Sequence, residues 1–208
     1  MLIVLSIIIL IFSVIFHEVA HGFVADRLGD PTARLAGRLT LNPIKHIDPV
    51  GSILVPLVTS LFGFAFGWAK PVPYNPYNLK NRRSGEFLIA AAGPASNFFL
   101  ALVFGTIMRF VAAGITDQAT ATAMAPFMTV LSYIVVINIV LAIFNLIPLP
   151  PLDGSKFLFS VMPQQYGRLR YIMESYSFIF VLIVVFFLWQ LLYPVIPWAF
   201  WLFTGLSL

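Results

Sequence analysis

Long apolar runs, separated by short polar stretches rich in proline and asparagine, make up most of this chain. Residues 2–16, LIVLSIIILIFSVIF, form one continuous apolar stretch, and the pattern continues through Val19, Ala20, Phe23 and Val24 to Ala25, long enough for a helix that spans a bilayer. Residues 26–49 are polar and turn-rich, and within them the alternation of ARLAGRLTL, Ala33–Leu41, predicts a short strand. Residues 50–69 are apolar again, but Gly51, Pro56, Gly63 and Gly67 make a straight helix unfavourable there. After a loop dense in Pro, Asn and basic residues, a helix is expected over Phe87–Met108 and another over Pro126–Leu146, joined by a small polar loop. The sequence then breaks into NLIPLPPLDG. A last span covers Ser177–Tyr193, followed by a tail in which Pro194 and Pro197 interrupt Trp- and Phe-rich sequence. The pattern predicts an all-α polytopic membrane protein with about four to five transmembrane helices, a re-entrant or broken segment at 50–69 and a membrane-associated β-element near 33–41. We read 1–208 as a single membrane-embedded domain, with its core over 2–160 and a C-terminal helical extension over 161–208.

Composition agrees. Of 208 residues, 60% are hydrophobic and 10% charged, against about half and a quarter in soluble domains. A soluble globule, a disordered chain, a collagen and a nucleic-acid enzyme are all excluded. With no cysteine, there is no disulfide framework, no thiolate zinc site and no thiol nucleophile, so any metal must be held by nitrogen and oxygen. The first apolar run has no Lys or Arg before it, and His17, Glu18 and His21 occupy the place of a small-residue cleavage site. It therefore reads as a retained helix, not a leader peptide.

The chemistry is concentrated in His17-Glu18-Val19-Ala20-His21, a match to H-E-x-x-H. Positions i and i+4 lie about 40° apart around a helix and about 6 Å along it, so both imidazoles can reach one zinc while Glu18 approaches water at the metal. Three ionisable side chains inside an apolar helix are costly, roughly 2.5–3.5 kcal/mol for a mid-membrane charge on the insertion scale, and are expected only with a partner or a function. Hydrolytic zinc usually takes three protein ligands. The candidates for the third are His46, Asp48, Glu86 and Asp153. Context favours Asp153: three prolines break the helix just before it, and non-helical backbone at membrane depth is tolerated where it lines a cavity.

HEVAH in the first span, GPASN (Gly93, Pro94, Asn97) in a later one and NLIPLPPLDG in the next resemble the core of the site-2 protease family, zinc metalloproteases that cleave transmembrane helices within the bilayer. The loops GRLTLNPIKHIDPVGS and FGWAKPVPYNP resemble its compact prokaryotic branch, and together these segments cover roughly residues 12–160. The resemblance implies one zinc per chain held by His17, His21 and Asp153, Glu18 as catalytic acid and base, and Asn145 holding the substrate carbonyl or oxyanion. It implies transmembrane segments of other membrane proteins as substrates. The inserted PDZ module and nucleotide-binding domain of larger relatives have no counterpart here. The alternative is an inactive scaffold or metal-transport protein using the same His/His/Asp cluster, against which Glu18 argues, because transport needs ligands but no base. A membrane-anchored protease acting in the aqueous phase would place the motif in a polar helix after the span, whereas here it continues the apolar run.

A shared zinc site requires the C-terminal ends of the first span and of the 126–146 span to lie on one side. Segments 50–69 and 87–108 then cannot both be full crossings, and the Gly- and Pro-broken 50–69 is the choice for a re-entrant hairpin or membrane-embedded loop. On that arrangement Arg27, Arg34, Arg38, Lys45, Lys70, Lys80, Arg82, Arg83, Lys156, Arg168 and Arg170 share a face, leaving only Arg109 of the 12 basic residues opposite. The positive-inside rule makes that face cytoplasmic, which implies a multi-pass protein of the cell membrane whose site opens toward the cytoplasm. The 33–41 strand has two readings, an edge for an unwound substrate or a structural brace. The oligomeric state is not legible.

Overall fold

The computed structural model describes residues 2–60, 69–163, 166–183, 187, 190 and 193–208. In chain order its α-helices are α1 (Leu2–Arg27), α2 (Thr32–Leu35), α3 (Val55–Ser60), α4 (Arg82–Ala113), α5 (Gln118–Asn145), α6 (Gly154–Val161), α7 (Gly167–Ser175), α8 (Ser177–Ile183) and α9 (Val195–Thr204). Short 3₁₀ turns form at Pro43–His46 and Pro76–Asn78, and a π-helical turn at Pro49–Leu54. Among the described residues, α1, α4 and α5 are the helices long and apolar enough to cross a membrane. With 26, 32 and 28 residues they reach about 39, 48 and 42 Å, beyond the hydrocarbon thickness of about 30 Å.

Polarity in this bundle runs inside out. Ile3, Val4 and Phe12 on α1, and Phe99 and Phe110 on α4, point outward and are exposed, while Ser13, His17, His21, Asn97 and Asn138 are buried between α1, α4 and α5. In water that arrangement would leave apolar surface wet. In lipid it costs nothing outside, and each inward polar group must find a partner inside. This is an integral membrane protein. A separate apolar cluster, with Ala101, Val135, Ile139 and Phe200 fully or almost fully buried, packs α9 against α4 and α5.

The contacts fix the helix directions. Ser13, His17 and His21 of α1 meet Asn97, Gly93 and Ile89 of α4 in reverse order, so these helices are antiparallel. A tight connection returns α5 antiparallel to α4, with Met108 beside Ser132 and Asn97 beside Asn138. Hence α1 and α5 are parallel, and residues 28–81 leave and return at the same end of the bundle. Asp30 closes that end. Its buried carboxylate accepts from the Thr32 N–H at 3.2 Å, the Asn75 N–H at 2.6 Å and the Asn78 amide at 2.7 Å. Burial opposes ionisation of Asp30, but hydrogen bonds from Thr32, Asn78 and Asn75 outweigh it and hold the carboxyl below its ordinary range. A depressed carboxyl contributes stability that is complete above the unfolded value of about 3.9 and is lost as pH falls through the lower folded one. We expect Asp30→Ala to cost about 2–4 kcal/mol through unpaired Asn75 and Asn78 donors. Melting in detergent at neutral pH should read this as a lowered midpoint, and the gap from wild type should narrow at acid pH; equal midpoints at neutral pH would remove Asp30 from this role.

Several elements depart from expectation. No strand forms over 33–41. Pro31 precedes the short helix α2, and Gly37, at φ 63°, closes it, with the Arg38 N–H returning to the Ala33 carbonyl at 2.9 Å. Alternation over that window therefore comes from a helical turn and its exit, and an exposed edge for substrate pairing is absent there. The expected start of the α5 helix at Pro126 moves to Gln118, because the Asp117 carboxylate caps it by accepting from the Thr120 N–H, and Pro126 is absorbed inside the helix. Asn81 likewise caps α4 from Arg82, upstream of the expected Phe87. Residues 61–68 of the 50–69 segment, and part of the expected 177–193 span, lie outside the described residues.

Candidate metal centre

His17 and His21 lie one turn apart on the inward face of α1, both buried. Asp153 reaches them from the chain that follows α5. Past Asn145 the prolines prevent a continued helix, and Ile147 and Leu152 bury themselves with Phe144 and Leu149 to pin the turn. Gly154 then packs its backbone on the carbonyls just past the end of α5: a Cβ there would lie 2.3 Å from the Leu146 oxygen and 2.4 Å from that of Ile147. Only glycine permits this approach, and it is what turns Asp153 back toward α1.

The three side chains converge. His17 Nε2 and His21 Nε2 each lie 3.0 Å from Asp153 Oδ2 and 3.0 Å from one another. The opposite ring nitrogens are already engaged: His17 Nδ1–H donates to Asn97 Oδ1 and His21 Nδ1–H to the Ile89 carbonyl, both at 2.6 Å. With those protons spent, the three inward atoms present only lone pairs to each other, an arrangement stable around a cation. Two imidazole nitrogens and a carboxylate oxygen are a catalytic zinc donor set, and a tetrahedral ion with bonds of about 2.0–2.2 Å needs donors roughly 3.3–3.5 Å apart, within easy adjustment of the observed spacing. Among the described residues this is the one cluster able to hold a metal. Gly93 of α4 gives it room, since a Cβ there would sit 2.5 Å from both histidine Nε2 atoms.

Glu18 is held apart from the cluster's donors. Its Oε2 accepts from the Val72 N–H at 2.8 Å, where Val72 stands between Pro71 and Pro73, neither of which has an N–H to give. Arg38 braces that strap by donating to the Lys70 carbonyl at 2.7 Å. The other third-ligand candidates are elsewhere: His46 Nε2 is on the Thr40 carbonyl at 2.8 Å, Asp48 caps the π-helical turn, and Glu86 pairs with Arg82 at 3.0 Å. Asn145 ends α5, with its amide donating to the Leu141 carbonyl at 2.9 Å. Two neighbours of the cluster carried no role in the sequence reading. Asn97 stands in the GPASN segment, and its asparagine inside an apolar helix was the available signal. Lys156, whose Nζ lies 3.3 Å from Asp153 Oδ1 and which sits over the Tyr74 ring, follows the LDG turn by one helical step and gave none.

The model of peptidase family M50 matches residues 5–189. The chain belongs to peptidase family M50. It is 41% identical over 180 residues to the Bacillus subtilis protein named "Putative zinc metalloprotease YwhC", covering 86% of this chain and 78% of that one. A Rip2 protein of the same description from Mycolicibacterium smegmatis is 30% identical over 143 residues, 68% of this chain and 51% of its own length. "Zinc metalloprotease MJ0392" of Methanocaldococcus jannaschii is 24% identical over 163 residues, with 78% and 36% covered. No solved structure matches the chain. Family membership and the buried His–His–Asp cluster make this M50 peptidase an intramembrane zinc metalloprotease.

Proposed function

We propose that this M50 peptidase hydrolyses peptide bonds within or near transmembrane helices of membrane-protein substrates, with one zinc held by His17, His21 and Asp153. The observation that carries the reading is the convergence of three buried lone-pair donors between helices that also bury Ser13, Asn97 and Asn138 in an otherwise lipid-facing bundle. When bound, zinc would supply Lewis acidity, lowering the pKa of water toward neutrality and polarising a carbonyl. Glu18 takes the proton from the attacking water and returns it to the leaving amine, with Oε2 steadied by Val72 and Oε1 left for the transfer. One Asn145 N–H is used on Leu141; the other is the donor we assign to the substrate carbonyl.

The polytopic chain forms a single membrane-embedded domain over 1–208 in this proposal, in the cell membrane, with the site opening to the cytoplasmic face. Supporting this side are the return of 28–81 to the end of the bundle where α4 begins and the concentration of Lys and Arg there.

The test is cleavage of single-span substrates by purified protein in liposomes. We expect products cut within the span, loss of cleavage after chelation, and recovery on adding zinc. Cleavage that persists in metal-stripped protein would overturn the reading.

A further inference from the structure

The two imidazoles reach the same ring state by different routes. His21 donates from Nδ1 to the Ile89 carbonyl, a group that only accepts, so its Nε2 keeps a lone pair. His17 Nδ1 instead faces a side-chain amide, that of Asn97, and an amide can offer either its oxygen or its NH2. Were Asn97 to turn its NH2 to the ring, Nδ1 would accept and the proton would move to Nε2, where a metal could no longer bind.

A second asparagine removes that freedom. Asn97 Nδ2 donates to Asn138 Oδ1 at 2.8 Å and, over 3.4 Å, toward the Ser13 carbonyl. Asn138 Nδ2 donates to the Ile134 carbonyl at 2.9 Å and to Ser13 Oγ at 2.9 Å. The Ile134 carbonyl cannot donate, so the Asn138 NH2 faces it and Oδ1 faces Asn97; Asn97 must then give its NH2 to Asn138 and its oxygen to His17. Asn97 and Asn138 are both fully buried, so water offers neither amide another partner. The relay crosses from α5 through α4 to α1.

We propose that Asn138 is a positioning residue, which through Asn97 locks His17 as the Nδ1–H tautomer and keeps its Nε2 lone pair for zinc. The proposal rests on His17 being a zinc ligand. Buried asparagines can also simply join membrane helices, and the two roles separate experimentally.

The chain has 3 histidines, so histidine-¹⁵N labelling of the metal-free protein in detergent resolves each ring. His46, whose Nε2 faces the Thr40 carbonyl, supplies an Nε2–H reference. In wild type we expect His17 and His21 both fully protonated at Nδ1. In Asn138→Leu, His17 should lose that pure state while His21 keeps it, and the zinc dissociation constant, read by chelator competition, should rise about 10–100-fold. Asn138→Asp, whose protonated carboxyl can give its O–H to Ile134 and its carbonyl to Asn97, should restore both. A packing role predicts the reverse order, with leucine better tolerated than aspartate. An unchanged His17 tautomer and zinc affinity in Asn138→Leu would overturn the proposal. If His21 is lost as well, Asn138→Val repeats the test with a smaller side chain, and loss of both rings there also overturns it. Zinc retained in His17→Ala would instead sink the ligand assignment, whereas zinc lost in His17→Ala but kept in Asn138→Leu sinks only this proposal.

Discussion

Glu18→Gln is expected to abolish cleavage while zinc content and the melting profile stay at wild-type values. Gln keeps the length of the side chain and an oxygen to accept from the Val72 N–H, so the strap over α1 has no reason to move. What is lost is the capacity to take and return a proton. General acid–base groups contribute about 10²–10⁴ in rate, or about 3–5 kcal/mol of barrier. Because Glu18 is separate from the three converging donors, metal occupancy is the control that separates loss of a base from loss of the site. Cleavage within a few-fold of wild type would assign the proton transfer to another group.

The second large effect is expected from Gly93→Ala, a substitution that a helix on its own would welcome. Alanine in place of glycine in a helix interior gains roughly 0.5–1 kcal/mol, and helicity should not fall. The new methyl group, however, would lie 2.5 Å from His17 Nε2 and 2.5 Å from His21 Nε2. Neither ring can simply swing away, because each is tethered on its far side by a 2.6 Å hydrogen bond from Nδ1. The donors must separate or the tethers must break. Disturbing the groups that merely orient metal ligands costs 10–100-fold in affinity, so displacing the ligand atoms should weaken zinc by about 100-fold or more and stop cleavage. Chelator competition and circular dichroism together provide the measurement. Wild-type zinc affinity in a folded Gly93→Ala protein would show that the metal lies away from the convergence of these rings.

The three spanning helices were legible because hydropathy is a local property, carried by some twenty consecutive side chains whatever they pack against. HEVAH was legible for the same reason: an i, i+4 pair needs nothing but its own helix to share a face. Even the reach of Asp153 could be anticipated, since prolines dictate where a helix must end. Where the helices begin was harder, because Asp117 and Asn81 act through capping bonds outside the apolar stretch. The strand expected over 33–41 failed because alternation by itself says nothing about a partner, and the backbone there closes its hydrogen bonds in a helical turn instead.

Tertiary structure decided the rest. Which of His46, Asp48, Glu86 and Asp153 joins the two histidines depends on distances across more than a hundred residues, and only the seating of Gly154 on the end of α5 brings Asp153 in. That the chain leaves α1 and enters α4 at one end, which the sequence implied only on the assumption of a shared metal, is seen directly in the antiparallel contact of α1 with α4. The ring state of His17 depends on Asn97 and Asn138, polar residues that in the sequence are isolated in apolar runs. Composition and periodicity specify which groups a membrane helix carries, but the partner of a buried polar group is chosen by whichever helix packs beside it, and that choice is absent from any one segment.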